Sequence, residues 1–128
     1  MTPVMNEGGS IVFNPSGLDV LGIPDMTVYS ASRAASRSAT LTLSAELGVQ
    51  GTRVNAVAPE PIETPIYSKI GIPEERLNEM AAGIITQVPT GRLGKPDEIT
   101  AGVVFLASDA SSYMRGAEIQ VDGGWTAL

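Results

Sequence analysis

The sequence predicts an α/β protein whose parallel sheet forms half of a doubly wound fold. Three observations support this prediction: short β-branched runs, a long helix between the first two of them, and turn signals at their ends. Strand, helix and strand in this order imply parallel strands joined by a crossover helix. Ligands of such sheets bind outside the carboxyl ends of the strands. We therefore expect one partial domain over residues 1–128, with its site in the loops after the strands.

The strands are predicted from short apolar segments bounded by turn residues. A glycine turn leads into the run 10–13, and the β-branched run 52–59 ends in a proline. Segment 14–26 is rich in turn-forming residues and is predicted as a loop. Segment 117–124 alternates apolar and polar residues before an Asp-Gly-Gly turn, which predicts a third strand.

The longest predicted helix covers residues 28–47. Glycine and proline are absent from it, and a row of alanines and leucines repeats every four residues up to Gly48, where the helix is expected to stop. The opposite row is small, comprising Ser30, Ala34 and Ser38. This pattern predicts a helix packed on two sides, either by ordinary core contacts or at a subunit interface.

Two further helices are predicted in the second half of the chain. Residues 74–85 form one of them. Pro96, followed by two acidic residues, marks the start of the other, because proline and negative charge both favour the first helical turn. The apolar face of this last helix is predicted to consist of Ile99, Val103 and Leu106.

Composition excludes several classes of function. The net charge of −6 and a pI near 4.5 argue against nucleic-acid binding. The chain has no cysteine and no histidine, so we expect no metal site, and acid/base chemistry has to come from Tyr, Lys, Asp or Glu. No export signal and no apolar run of membrane-spanning length is present, which predicts a cytoplasmic protein without a membrane partner.

The predicted loops bring several reactive side chains toward one edge of the sheet. Ser16 follows the first strand, Thr64 follows the second, and Tyr29 begins the long helix with Arg33 one turn later. A tyrosine and an arginine four residues apart are far more often a surface contact than a reactive pair. The pattern alone therefore leaves both interpretations open.

A series of motifs then occurs in one order along the chain: GGSIVFNPSG, a tyrosine thirteen residues after Ser16, RVNAVAP, VPTGRLGKPDEI and FLASDASSYMRGAEIQVDGG. In this order and spacing they closely resemble the C-terminal half of the short-chain dehydrogenases/reductases. The resemblance implies part of a Rossmann fold and hydride transfer between NAD or NADP and a small-molecule alcohol or ketone. It also implies a homodimer or homotetramer for the complete protein.

The resemblance assigns roles to individual residues. Ser16 matches the serine that hydrogen-bonds the substrate oxygen, and Tyr29 matches the general acid/base. Arg33 stands at the position of the family's lysine, whose cation favours the phenolate and binds the nicotinamide ribose. The segment PEPIET resembles the family's cofactor-contacting Pro-Gly-x-x-x-Thr. The predicted cofactor-binding residues are therefore Tyr29, Arg33, Pro59, Glu60, Ile62 and Thr64.

Three departures from the family pattern support a second hypothesis. Arg33 replaces lysine, Glu60 replaces glycine, and the glycine-rich phosphate loop of the family's N-terminal, cofactor-binding half is absent from these residues. The alternative is a catalytically impaired remnant or an oligomerisation module that no longer binds cofactor, and a generic ligand-binding α/β module is a third possibility. Substrate choice is expected to lie in the variable loop 66–88.

Overall fold

A computed structural model of the chain describes residues 5–65, 71 and 73–127. Three strands and three helices follow one another in the order β1 (Ser10–Phe13), α1 (Thr27–Gly48), β2 (Arg53–Pro59), α2 (Glu74–Ile85), α3 (Pro96–Ala107) and β3 (Glu118–Val121). Short 3-10 turns follow β1 and α3, at Gly17–Asp19 and Asp109–Ser111. The strands form one parallel sheet in the order β1-β2-β3.

The core is centred on β2, the middle strand of the sheet. Its residues from Arg53 to Ala58 are all buried, as expected for a strand covered on both faces. Helices α1 and α3 both pack on β2. Gly102 of α3 lies against the Val57 side chain, so the absence of a side chain lets the helix approach the sheet. Leu106 of α3 is fully buried in the same core.

The predicted elements are confirmed with small shifts at their ends. β1 and α2 have the predicted bounds, β2 begins one residue late, and α3 begins at Pro96. Leu106 of its predicted apolar face is buried, whereas Ile99 and Val103 are half-buried. The predicted loop 14–26 contains the first 3-10 turn. In the predicted substrate loop, residues 66–70 and 72 lie outside the described part of the chain.

Helix α1 differs from its prediction in the face that it buries. Its buried residues are Thr40, Ser44 and Leu47, and the Thr40 hydroxyl donates to the Ser36 carbonyl one turn earlier (3.0 Å). Short side chains on this face let the helix approach the sheet, while the Thr40 hydroxyl stays satisfied within the helix. Ala34 and Ser38 are exposed in the described chain. Ala34 and Ser38 therefore do not belong to the core of the described residues, and a subunit interface on this row stays a prediction.

The stop of α1 also lies later than predicted. Gly48 is the last helical residue, and the left-handed residue that reverses the chain is Gly51, with φ of +77°. Glycine suits this position because it has no Cβ to clash.

At one edge of the sheet, β1 pairs with β2 alone among the described residues, and all of the β1 residues are half-buried.

Within the described residues, no helix combines the length and the apolar character needed to cross a bilayer.

Candidate active site

A polar residue follows each strand at the carboxyl edge of the sheet. Ser16 lies beyond β1, Glu60 directly follows β2, and Asp122 directly follows β3. The backbone N–H of Glu60 donates to the Val121 carbonyl (3.3 Å), which extends the β2–β3 pairing to this point. Because parallel strands end at the same edge, these three residues from distant parts of the sequence are brought into one neighbourhood.

Ser16 is held by the turn that follows β1. It is the N-cap of the turn Gly17–Asp19, and its hydroxyl accepts a hydrogen bond from the backbone N–H of Leu18 (3.2 Å). Serine suits a cap because its short side chain reaches the free backbone N–H groups. The residue is only 1% exposed. Its position is therefore defined by local structure.

The Ser16 hydroxyl donates a hydrogen bond to Oε1 of Glu60. The Glu60 side chain is removed from most solvent, and this burial raises the pKa of its carboxyl above the ordinary value. The Ser16 hydrogen bond and the positive charge of Arg33 lower the pKa in part, whereas the negative charge of Asp122 raises it further. Sequence reasoning identified Glu60 as a departure but did not predict that it binds Ser16.

Arg33 and Tyr29 meet on one face of α1, as their spacing predicts. The guanidinium carbon of Arg33 lies 4.8 Å from the centroid of the Tyr29 ring, a cation–π contact. Arg33 Nη1 also donates to the carbonyl of Asn14 in the loop after β1 (3.2 Å). The cation thus faces the ring rather than the hydroxyl of the phenol. In the described chain, no hydrogen bond joins the Tyr29 hydroxyl to Ser16.

The other predicted cofactor residues lie along the loop after β2. Pro59 ends the strand opposite Val121. Ile62 forms a bridge with Gly94, and two backbone hydrogen bonds of 2.9 Å support it, one to each side of Ile62. Ile62 and Thr64 line a groove of about 220 Å³ together with apolar residues of α2. Ile62 also lines a second cavity together with Glu60 and Asp122, so the loop after β2 connects the groove with the Ser16–Glu60 pair.

Asp122 is a buried residue of the site that the sequence did not single out. Its Oδ1 accepts from the Gly124 N–H (2.9 Å), and its Oδ2 accepts from the Thr126 N–H (2.9 Å) and hydroxyl (2.6 Å). Burial acts to raise the pKa of Asp122, but these hydrogen bonds together lower it. Because the fold brings the Thr126 methyl against Gly17, a Cβ at Gly17 would lie 2.8 Å from it. The Asp-Gly-Gly motif predicted the turn but not the contact between Thr126 and Gly17.

Comparisons with known proteins agree with the fold and the motifs. A family model described as enoyl-(acyl carrier protein) reductase matches residues 1–126. The 3-oxoacyl-(acyl-carrier-protein) reductase FabG of Thermotoga maritima is 42% identical over 121 residues, covering 94% of this chain and 47% of the relative. A 2-dehydro-3-deoxy-D-gluconate 5-dehydrogenase of Pseudoalteromonas atlantica is 39% identical over 122 residues, covering 95% and 46%. The chain spans about half the length of the curated relatives it matches.

Solved structures give the same result. A short-chain dehydrogenase family protein from Francisella tularensis superposes with a TM-score of 0.85 at 33% identity, over 96% of this chain and 53% of that one. A 2-deoxy-D-gluconate 3-dehydrogenase from Agrobacterium tumefaciens, described as putative and solved with bound NADP, superposes with a TM-score of 0.82 at 33% identity, over 94% and 48%. With its parallel sheet, its motifs in order and these matches, the chain belongs to the short-chain dehydrogenase/reductase family.

Proposed function

We propose that the protein carrying this chain transfers hydride between NAD(P) and a small-molecule alcohol or ketone. The observation that supports this proposal is that Arg33, which lies over the Tyr29 ring, donates to Asn14 in the loop that leads from β1 to Ser16. The resemblance assigns Ser16, Tyr29 and Arg33 to the family's reactive positions. The relatives named as dehydrogenases and reductases support the reaction class.

The proposed chemistry divides between three side chains. In the reducing direction, the Ser16 hydroxyl donates a hydrogen bond to the substrate oxygen and stabilises the negative charge that develops there. Tyr29 gives its phenolic proton to that oxygen and takes it back in oxidation. Arg33 holds a permanent positive charge over the face of the Tyr29 ring, at the position of the family's lysine.

The residues of the site fit the nicotinamide end of NAD(P). Arg33 Nε is buried without a partner among the described residues, and this free donor suits a ribose hydroxyl. Ile62 and Thr64 line the groove along the loop after β2, which begins beyond Pro59. The bound cofactor would supply or accept the hydride. The Glu60 carboxylate is the exception, because its negative charge repels the phosphates expected near this loop.

Replacing Tyr29 tests the proposed function directly. Tyr29→Phe keeps the ring over which Arg33 lies but removes the proton that the reaction needs. We expect the reduction of ketones by NADH or NADPH to fall by about 10²-fold or more. The assay follows the absorbance of the reduced nicotinamide with a panel of small ketones, β-keto esters and keto-sugar acids.

Tyr113→Phe is the matched control, because Tyr113 is fully exposed and lies outside the cluster. We expect it to keep the activity of the unmodified protein. Equal activity in the Tyr29→Phe and unmodified proteins would contradict the role of Tyr29.

A second function is favoured by one observation, the hydrogen bond that the Ser16 hydroxyl donates to Glu60 instead of to a substrate. Under this alternative, the protein is an impaired relative that no longer binds cofactor and serves as an oligomerisation module. Titration with NADPH and NADH, followed through Trp125 fluorescence, distinguishes the two. Saturable quenching supports the oxidoreductase, whereas its absence together with a stable oligomer in sedimentation supports the alternative.

A further inference from the structure

The hydrogen bonds of Ser16 leave its hydroxyl no proton for a ligand. A serine hydroxyl carries one proton and two lone pairs. The proton is donated to Glu60, and the backbone N–H of Leu18 donates to the oxygen. The carbonyl oxygen of a ketone has only lone pairs, so it needs the same hydroxyl hydrogen that Ser16 donates to Glu60.

The surroundings of Glu60 keep its carboxyl in this place. Ser16 and Arg33 face it from the β1 loop and from α1, and Asp122 faces it from the turn after β3. Gly17 also lies against the side chain, since a Cβ there would be 3.2 Å from Glu60 Cγ. The hydrogen-bond donor and the cation both stabilise the negative charge of the carboxylate, which is partly removed from water. These interactions favour the observed position of the side chain.

We propose that Glu60 is a built-in competitor of the substrate, whose carboxylate binds the Ser16 hydroxyl and must be displaced before a carbonyl oxygen can bind there. This proposal rests on the function proposed above, because it takes Ser16 as the donor to the substrate oxygen. The competition acts on binding. Removing the Glu60 carboxylate is therefore expected to lower KM and to change kcat less.

The competition has a consequence for pH. A protonated carboxyl is a weaker acceptor than a carboxylate, so it releases the Ser16 proton more readily. Glu60 competes best when ionised, with Arg33 stabilising that form and Asp122 opposing it. The advantage of a variant without the carboxylate is thus expected to shrink as the pH falls.

The first test needs no catalysis. Acetate is a free copy of the Glu60 carboxylate, and we expect Glu60→Ala to bind it in saturation-transfer NMR. The unmodified protein, and the double variant Ser16→Ala with Glu60→Ala, are expected to bind acetate at least about tenfold more weakly. In a carbon-13 titration of Glu60, Ser16→Ala should raise the pKa of the carboxyl further, because a hydrogen bond to the ionised form is lost.

The second test measures kinetics with the best ketone of the panel above. Glu60→Ala is expected to lower KM by about tenfold, and Glu60→Gln, whose amide oxygen still accepts a hydrogen bond, should lie between it and the unmodified protein. Glu46→Ala removes an exposed carboxylate of α1 and is the matched control. Acetate should inhibit Glu60→Ala competitively, and the unmodified protein much less.

The outcomes separate this proposal from the proposed function. Unchanged titration of Glu60 in Ser16→Ala, or an active Glu60→Ala with an unchanged KM, would overturn the competition. If acetate binds as expected but no variant reduces any ketone, the contact between Glu60 and Ser16 stands while hydride transfer fails. The competition with substrate then fails with it.

Discussion

At the scale of single residues, Glu60 couples the site to the stability of the fold. Burial raises the pKa of its carboxyl above the ordinary value, so the unfolded chain loses the proton at a lower pH than the folded chain does. The contribution of Glu60 to stability is therefore full below its unfolded pKa and is lost as the pH rises through the folded pKa.

Glu60→Gln removes this titration while keeping the shape of the side chain. We expect the free energy of unfolding of the variant, relative to the unmodified protein, to increase as the pH rises from about 4 to about 7. Urea unfolding at several pH values measures the difference. The exposed Glu46→Gln should show a flat difference over this range, and a flat difference for Glu60→Gln as well would contradict the assigned burial effect.

Asn55 illustrates a buried polar residue whose role is structural. Its side-chain amide donates to the Met114 carbonyl (3.0 Å), and its Oδ1 accepts from the Ala117 N–H (3.0 Å). The residue is fully buried at the middle of β2. It fastens the segment before β3 to the sheet, and so helps to place the turn that contains Asp122.

At the scale of elements, the start of α3 shows how far local signals reach. Pro96 and the acidic residues after it correctly predicted where the helix begins. The structure adds that Glu98 accepts from the backbone N–H of Lys95 (2.7 Å) and from both terminal nitrogens of Arg92 (2.7 and 2.8 Å). These hydrogen bonds, with that from Arg92 the strongest influence, lower the pKa of Glu98 to about 2.

Glu98→Gln is expected to lower the melting temperature at neutral pH. Because folding lowers the pKa of Glu98, its carboxylate stabilises the fold at pH values above its ordinary pKa of 4.5. This contribution disappears as the pH falls toward 2. The difference from the unmodified protein should therefore shrink over that range. Thermal unfolding followed by circular dichroism tests this, with the exposed Glu79→Gln on α2 as control. Because the ion pair is exposed, high salt should also reduce the effect. An equal loss at pH 7 and near pH 3 would contradict the ionic origin.

Helix α1 shows the opposite case, in which the local pattern predicted the element but not its buried face. Alanine and leucine repeated every four residues, but Thr40 and Ser44 are the residues buried with Leu47. Serine and threonine side chains can be buried like alanine when their hydroxyls donate to backbone carbonyls of the same helix. A hydropathy pattern does not predict such burial.

At the scale of the whole molecule, Arg53 joins the first and second halves of the described chain. It is buried at the start of β2, and its guanidinium donates to the carbonyls of Leu106 (2.8 Å) and Ser108 (3.1 Å) and to the Ser111 hydroxyl (2.7 Å). These carbonyls end α3, where the backbone has no helical donors left. One side chain thus fastens the end of α3 to the middle strand of the sheet.

Arg53→Met is expected to lower the free energy of unfolding by about 2–3 kcal/mol, because several buried hydrogen bonds of a charged donor are lost. Arg76→Met on the exposed surface of α2 is the matched control and should change it by less than about 0.5 kcal/mol. Urea unfolding of the three proteins measures both. A similar small change for both variants would show that Arg53 does not support the end of α3.

The sequence by itself determined the strands, the helices and the family, because these depend on apolar patterns, turn residues and motif spacing along one stretch of chain. It also identified Ser16, Tyr29 and Arg33 as candidates, and the contact of Arg33 with the Tyr29 ring follows from one helical turn. Only the tertiary structure decided that Glu60 accepts the hydrogen bond of the Ser16 hydroxyl. The two residues are 44 positions apart, and they meet only because two parallel strands end at the same edge of the sheet.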